Sequence, residues 1–363
     1  MQLNYWGYFN ATGYSVSCND YILALLKVKP GIDIKVHFIN HKIGDGVSRN
    51  RKQLFSALHK KETKEPSVNL YHCIPPIYQK TGKKNIGFCV FETINPPPDW
   101  INKMNEMDAI ITASSFNRNI FENNGVKVPI SVVPHCFDDK MFNENVPNNG
   151  RFDKTTFISI GTWKKRKNWE SLIKAWYEAF EYRHNVCLLI KTDKPNELKA
   201  AVHNIKKNFE WRSKLTAPIY CEENPICDFE EIPNILRKGD IYISCSLGEG
   251  FALPVLQAMA MKIPVITTRF GGVLEYAKPE FCTYLEPDKY QSVSTMDSVP
   301  QFQNCIWPHL SIKEIATKMI YILQKTKERE EKCQKAYDYV HNNLNYEKIG
   351  KKLLGALELD FQT

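Results

Sequence analysis

The feature that most constrains this chain is a rhythm of short strand-like and longer helix-like segments. In the first half, runs rich in β-branched and aromatic residues occur at QLNYW, 32–39, 68–72, 85–91, 108–113 and 130–134. Amphipathic segments at about 14–28, 48–60, 97–106 and 115–124 fall between them. The second half repeats the pattern, with strand candidates at 156–161, 186–191, 218–221, 240–246 and 263–268. Alternation of this kind implies parallel sheets covered by helices on both faces. An Asn-rich stretch with Pro147 and Gly150 separates the two series and reads as a linker. The expected organisation is α/β: a first Rossmann-like domain over 1–140, a linker at 141–153 and a second over 154–340. A C-terminal helix in 341–363 is expected to pack back on the first domain. The polar stretch 287–309 reads as a long loop.

A chain of 363 residues is long enough to bury two cores. Its eleven cysteines are odd in number, form no CxxC and sit partly inside apolar runs, as at Cys89, Cys187 and Cys245. Free thiols in a reducing cytoplasm, without a zinc site, are the simplest expectation. No basic segment followed by an apolar one opens the chain, and no stretch approaches 18 apolar residues. A net charge of +8 suits an anionic substrate and is too mild to argue for nucleic acid.

Four of those charges are consecutive: Lys164, Lys165, Arg166 and Lys167, in GTWKKRKNW. A strand ends at Gly161 on one side. On the other, Trp169, Leu172, Ile173, Trp176, Tyr177 and Phe180 have the spacing of one helical face, with Asn168 placed as an N-cap. The cations therefore occupy a strand-to-helix loop at the carboxyl edge of a parallel sheet, where open α/β folds bind ligands. Lysines beside a helix N-terminus form an anion site, most naturally for phosphate. A second loop of this type, LGEGFALPVLQAMAMK, has Gly248 and Gly250 for close backbone approach and Pro254 for a first helical turn. Glu249 in the loop and Gln257 one turn into the helix offer a carboxylate and an amide to one pocket.

The segment EGFALPVLQAMAMKIPVITT, followed by FGGVLE, resembles the signature of the retaining, nucleotide-sugar-dependent glycosyltransferases of family 4 (group 1). TGYSVSCNDYILAL, FETINPPPDWINKMNEMDAIITASSFNRNIF and VPISVVPHCFD resemble family segments in the same order. The resemblance implies a GT-B fold, two doubly wound Rossmann-like domains facing each other across a cleft. It implies that Glu249 binds hydroxyls of the donor sugar, with Gly250, Phe251, Ala252 and Leu253 lining that subsite. Gln257 would meet the ribose, and backbone groups around 220–229, Ile226 among them, the base. Lys167 would neutralise the diphosphate, which Gly13 and Tyr14 approach from the first domain. Glu92 falls where many relatives carry a histidine that touches the donor, and His135, ending a strand beside the linker, is a further candidate there.

Three departures accompany the likeness. Ala252 replaces a glycine, a mild change if its φ is negative. Gln257 replaces a glutamate. Thr162 stands where the family has its diphosphate arginine, so Arg166, or one of Lys164 and Lys165, is expected to supply that charge. No Asp-x-Asp occurs, so cations and helix N-termini are expected to stabilise the leaving diphosphate without a metal or other cofactor. The expected activity is transfer of a hexose-type sugar from a UDP- or GDP-linked donor to a carbohydrate or lipid-linked hydroxyl acceptor, with retention of configuration. Glu92, Glu249 and Lys167 are the catalytic candidates. A catalytically degenerate protein that only binds a sugar nucleotide or a protein partner is the alternative. The basic segment 49–64 is compatible with a peripheral membrane contact, a solvated helix face being the commoner outcome. Nucleic acid is not an expected partner, and either a monomer or a dimer fits.

Overall fold

Runs of residues buried on both faces can satisfy their backbone only by pairing in a covered parallel sheet, and two such sheets form. The computed structural model describes all residues except 1, 11, 63–67, 82–83, 149, 151, 183, 209–214, 225–227, 294–299, 303–304 and 359–363. The chain divides into two compact units: one of residues 1–140, 226–231 and 341–363, the other of 141–225 and 232–340.

In the first unit the elements run β1 (Gln2–Gly7), α1 (Gly13–Val28), β2 (Asp33–Phe38), α2 (Arg49–Lys60), β3 (Val68–His72), β4 (Asn85–Phe88), α3 (Pro98–Asn105), β5 (Ala109–Thr112), α4 (Ser115–Asn123) and β6 (Ile130–Val132). Side-chain oxygens of Thr12, Ser48 and Ser114 cap α1, α2 and α4 by accepting from Ser15, Arg51 and Asn117 N–H groups. Pro98 opens α3, where a missing N–H costs nothing. The six strands are parallel in the order β2-β1-β3-β4-β5-β6, so the order reverses between β1 and β3.

The second unit runs β7 (Thr155–Ile160), α5 (Trp169–Ala179), β8 (Val186–Lys191), α6 (Pro195–Asn208), β9 (Ile219–Glu222), α7 (Ile232–Leu236), β10 (Ile241–Ser244), α8 (Leu253–Ala260), β11 (Val265–Thr268), β12 (Thr283–Leu285), β13 (Lys289–Ser292), β14 (Ile306–His309), α9 (Ile312–Gln324) and α10 (Thr326–Asn343), whose end from His341 on belongs to the first unit. Its sheet, again parallel, has the order β12-β11-β10-β7-β8-β9 and reverses between β7 and β10. Trp176 of α5 lies fully buried against Phe157 of β7, its indole N–H donating to the Ala217 carbonyl at 3.0 Å.

The last helix, α11 (Tyr346–Glu358), belongs to the first unit and packs along α1. Gly350 makes this possible, because a Cβ there would run into the Ala24 carbonyl.

The stretch 287–309 is not the loop its composition suggests. Its ends pair as an antiparallel ribbon, Lys289 opposite His309 and Ser292 opposite Ile306. The strands are four residues each, β13 is largely exposed and Pro308 interrupts β14, so neither carries a legible alternation. The three-residue β12 is likewise unmarked in the sequence. No helix among the described residues is long and apolar enough to cross a membrane. The ten described cysteines are free thiols.

Candidate active site at the switch point of the second sheet

Where strand order reverses, the loops leaving two neighbouring strands diverge to opposite faces and leave a crevice at their carboxyl ends. In the second sheet those strands are β7 and β10. The loop after β7 carries the four cations, and the loop after β10 carries Glu249. The switch point thus brings Lys167 and Arg166 onto Glu249. Lys167 Nζ lies 2.5 Å from Glu249 Oε1, and Arg166 Nη1 lies 2.9 Å from Oε2. The Ser246 hydroxyl donates to Oε1 at 2.6 Å.

Local sequence explains how the cations reach inward. Lys165–Lys167 form one 3-10 turn, closed by Asn168 in the left-handed region at φ 57°. Asn168 precedes α5 as expected, but its side chain makes no cap hydrogen bond. Its role is conformational, since asparagine tolerates positive φ better than most residues. The Lys167 stem lies along Gly161, where a Cβ would meet its Cε at 3.3 Å. Lys164 and Lys165 remain exposed, beside Trp163 and Trp169 in an open groove of about 350 Å³. Thr162 is exposed, and its carbonyl accepts from the Trp169 indole N–H at 3.0 Å.

The triad's side chains are 12% (Glu249), 14% (Lys167) and 15% (Arg166) exposed, so solvent screens them little. Burial alone would raise the Glu249 carboxyl. The charges of Lys167 and Arg166, with hydrogen bonds from Lys167 and Ser246, outweigh it and hold the group at about 2.

The Glu249 loop is pinned from two sides. On one, the Leu247 N–H donates to the Arg166 carbonyl at 2.8 Å, and Arg166 Nη1 donates to the Gly248 carbonyl at 2.5 Å. On the other, the Gly272 N–H donates to the Glu249 carbonyl at 2.7 Å. Gly271, at φ 93°, approaches so closely that a Cβ would sit 2.7 Å from that same oxygen. Ala252, ahead of α8, has φ 67°, so the condition that made the loss of glycine mild is not met. Its carbonyl is held by the Tyr276 hydroxyl at 2.6 Å, and Phe251 packs on the Tyr276 ring. The first turn of α8 opens at Leu253 and Pro254, and the Val255 N–H donates back to the Ala252 carbonyl at 3.0 Å. Gln257, one turn on, is buried.

The remaining candidates belong to the first unit. Gly13 is exposed at the start of α1, after β1, one of its two switch-point strands. The Tyr14 hydroxyl donates to the Val90 carbonyl at 3.3 Å and accepts from the Val90 N–H at 3.4 Å. That ties α1 to the loop carrying Glu92, which is half-buried. Burial, then the nearby Cys89 and Glu92, push the Tyr14 phenol well above its ordinary value. His135 is buried among Tyr21, Phe88 and His72, and desolvation pushes it down to about 3, so it is neutral at physiological pH. His72 has both ring nitrogens partnered, by the Tyr5 hydroxyl at 2.6 Å and the Ser17 hydroxyl at 3.0 Å.

Of the residues singled out in the sequence, Arg166, Lys167, Glu249, Gly250, Phe251, Ala252, Leu253 and Gln257 gather on the two loops and helix of the second unit. Gly13, Tyr14, Glu92 and His135 lie in the first. Ile226 lies outside the described residues. Ser246, Gly271 and Tyr276 were not singled out. Ser246 is three residues before Glu249, and Gly271 is the first glycine of FGG, so both signals were present without a stated role.

Residues 154–295, fewer than half of the chain, match the family model described as glycosyl transferases group 1. An uncharacterized protein 356 of Sulfolobus islandicus rod-shaped virus 1 is 23% identical over 258 residues, 70% of each chain. The GPI3 component of the phosphatidylinositol N-acetylglucosaminyltransferase of Saccharomyces cerevisiae is 23% identical over 202 residues, 52% of this chain and 42% of that relative. In structure, the HepE protein of Anabaena in complex with UDP and glucose matches with a TM-score of 0.71, at 12% identity, covering 98% of this chain and 99% of that one. A sucrose-phosphate synthase from Thermosynechococcus elongatus matches at 0.69, also at 12% identity and 98% coverage of each chain. At such identities the likeness is one of fold: two Rossmann-like α/β units in the GT-B class.

Proposed function

We propose that the chain transfers a hexose-type sugar from a UDP- or GDP-linked donor to a hydroxyl acceptor on a carbohydrate or lipid-linked glycan, with retention and without a metal. The observation that carries this reading is the meeting of Lys167 and Glu249 at the switch point of the second sheet, inside the segment that matches the group 1 glycosyltransferases. The structural neighbours with UDP and with UDP-glucose bound favour a nucleotide-sugar donor.

In this reading the anomeric C–O bond breaks through an oxocarbenium-like state, and the main electrostatic task is to stabilise charge on the departing diphosphate. Lys167 takes that charge, aided by the N–H groups at the start of α8, near Ala252 and Leu253. Before a donor arrives, Glu249 neutralises Lys167. The diphosphate replaces that partner, and the freed carboxylate turns to the sugar hydroxyls. Gln257 contributes a neutral amide to the ribose. For the first unit, a diphosphate role for Gly13 and Tyr14 and a donor-sugar role for Glu92 and His135 are part of the same proposal. A front-face transfer, in which a donor phosphate oxygen takes the acceptor proton, needs no protein nucleophile, and Glu92 then orients donor or acceptor.

The test is a thermal-shift panel of UDP-, GDP- and ADP-sugars with EDTA present, followed by turnover with the best donor. Stabilisation by one nucleotide that is lost in Lys167→Ala supports the reading. No shift at millimolar donor overturns it. Binding without turnover or donor hydrolysis would favour a degenerate binder, a reading that the amide at Gln257 and the threonine at Thr162 support.

A further inference from the structure

We infer that Arg166 is a positioning residue, which holds the Gly248–Glu249 turn in the shape that presents the Glu249 carboxylate, and that it is not itself a ligand of the donor's diphosphate. The transferase reading enters only in what Glu249 is presented to.

Three observations carry this. One nitrogen of the guanidinium, Nη1, donates to the Gly248 carbonyl at 2.5 Å and forms an ion pair with Glu249 Oε2 at 2.9 Å, so a single nitrogen meets both residues of one turn. The Arg166 main chain meets the same turn through the Leu247 N–H. The guanidinium is thus one side of a two-sided grip whose other side is the Gly272 N–H and the bare α-carbon of Gly271.

Lys167 differs in kind. Its contact with Glu249 is a point contact from a flexible stem, which an arriving anion can take over. Turning the Arg166 guanidinium onto a diphosphate would instead give up its ion pair with Glu249 and strip the buried Gly248 carbonyl of its donor. With Lys164 and Lys165 exposed on the same loop, that is the costliest cation for a diphosphate to use. Arg166 therefore does not replace the charge missing at Thr162. It shapes the turn that a glycine-rich loop alone would leave mobile.

The test uses the full-length chain and two readouts. Hydrogen exchange of the peptide spanning 247–251 needs no ligand, and Arg166→Met is expected to accelerate it about tenfold or more. Affinities for UDP, GDP and ADP are then compared with those for the corresponding glucose esters. Arg166→Met is expected to leave the best nucleoside diphosphate within about threefold while weakening its sugar ester about tenfold or more, whereas Lys167→Met weakens both together. Unchanged exchange, or equal losses for diphosphate and ester in Arg166→Met, would overturn the inference. If the wild-type chain binds no nucleotide, the transferase reading falls, and the exchange result alone still decides whether Arg166 holds the turn. Should Arg166→Met fail to fold, Arg166→Lys, which keeps the charge and loses the planar guanidinium fork, is read by the same two criteria.

Discussion

Replacing Glu249 by glutamine removes one charge from a weakly screened triad and leaves two cations facing each other. The structure sets the size of the effect. A carboxyl held at about 2 instead of 4.5 is worth, at about 1.4 kcal/mol per pH unit, about 3 kcal/mol in favour of the folded, ionised form. That agrees with the roughly 3–5 kcal/mol typical of breaking a buried pair by removing one partner. The sign follows from the depressed value. The stabilisation is complete above the unfolded carboxyl's range and is lost as pH falls from about 4.5 towards 2. Glu249→Gln should therefore be about 3 kcal/mol less stable than wild type at pH 7, and the two should converge in acid. Urea unfolding at a series of pH values, followed by the fluorescence of Trp163 and Trp169 beside the loop, measures this. A variant within about 0.5 kcal/mol of wild type at pH 7, with the same acid slope, would show that the triad is not a tightly coupled, weakly screened cluster.

Other substitutions test neighbouring features. Ala252→Gly relieves a left-handed alanine and should gain about 0.5–1 kcal/mol after the entropy of the more flexible unfolded chain is subtracted, visible as a raised Tm. Gly271→Ala drives a Cβ onto the Glu249 carbonyl and should abolish nucleotide-sugar stabilisation in thermal shift while far-UV circular dichroism is retained. Gly350→Ala should cost about 1–3 kcal/mol in chemical denaturation by lifting α11 off α1. His135 stays neutral when folded and charges when unfolded, so its contribution is lost as pH falls from 6.5 towards about 3. His135→Phe should flatten the stability–pH profile over that window.

Much of the fold was legible because both sheets are built from the most readable kind of strand, short apolar runs between helices with one face buried. Where expected boundaries failed, backbone and side chain parted company. Cys89 and Phe91 stay buried, as the apolar run FCVF suggests, yet they have left β4, and the core claims them as loop. The same holds for Cys245 after β10. For the site, sequence pattern located both loops, because strand–turn–helix spacing and FALP-type helix starts are local signals. It did not reveal which cation faces Glu249 or what Arg166 holds, because that pairing is set by a strand order that brings β7 beside β10. Nor did it show the positive φ of Ala252, a conformation alanine seldom signals.

The place of α11 also bears on how the protein is made. Strands β1–β6 leave the ribosome first, but the helix that covers α1 follows every element of the second unit. The first unit to begin synthesis is therefore the last to be completed. Until Tyr346–Glu358 emerges, the side of α1 that α11 packs against has no native cover, while the second sheet already has all its strands. Nascent chains should thus pass through a stage in which the second sheet is finished and the first unit is a client for chaperones, awaiting α11.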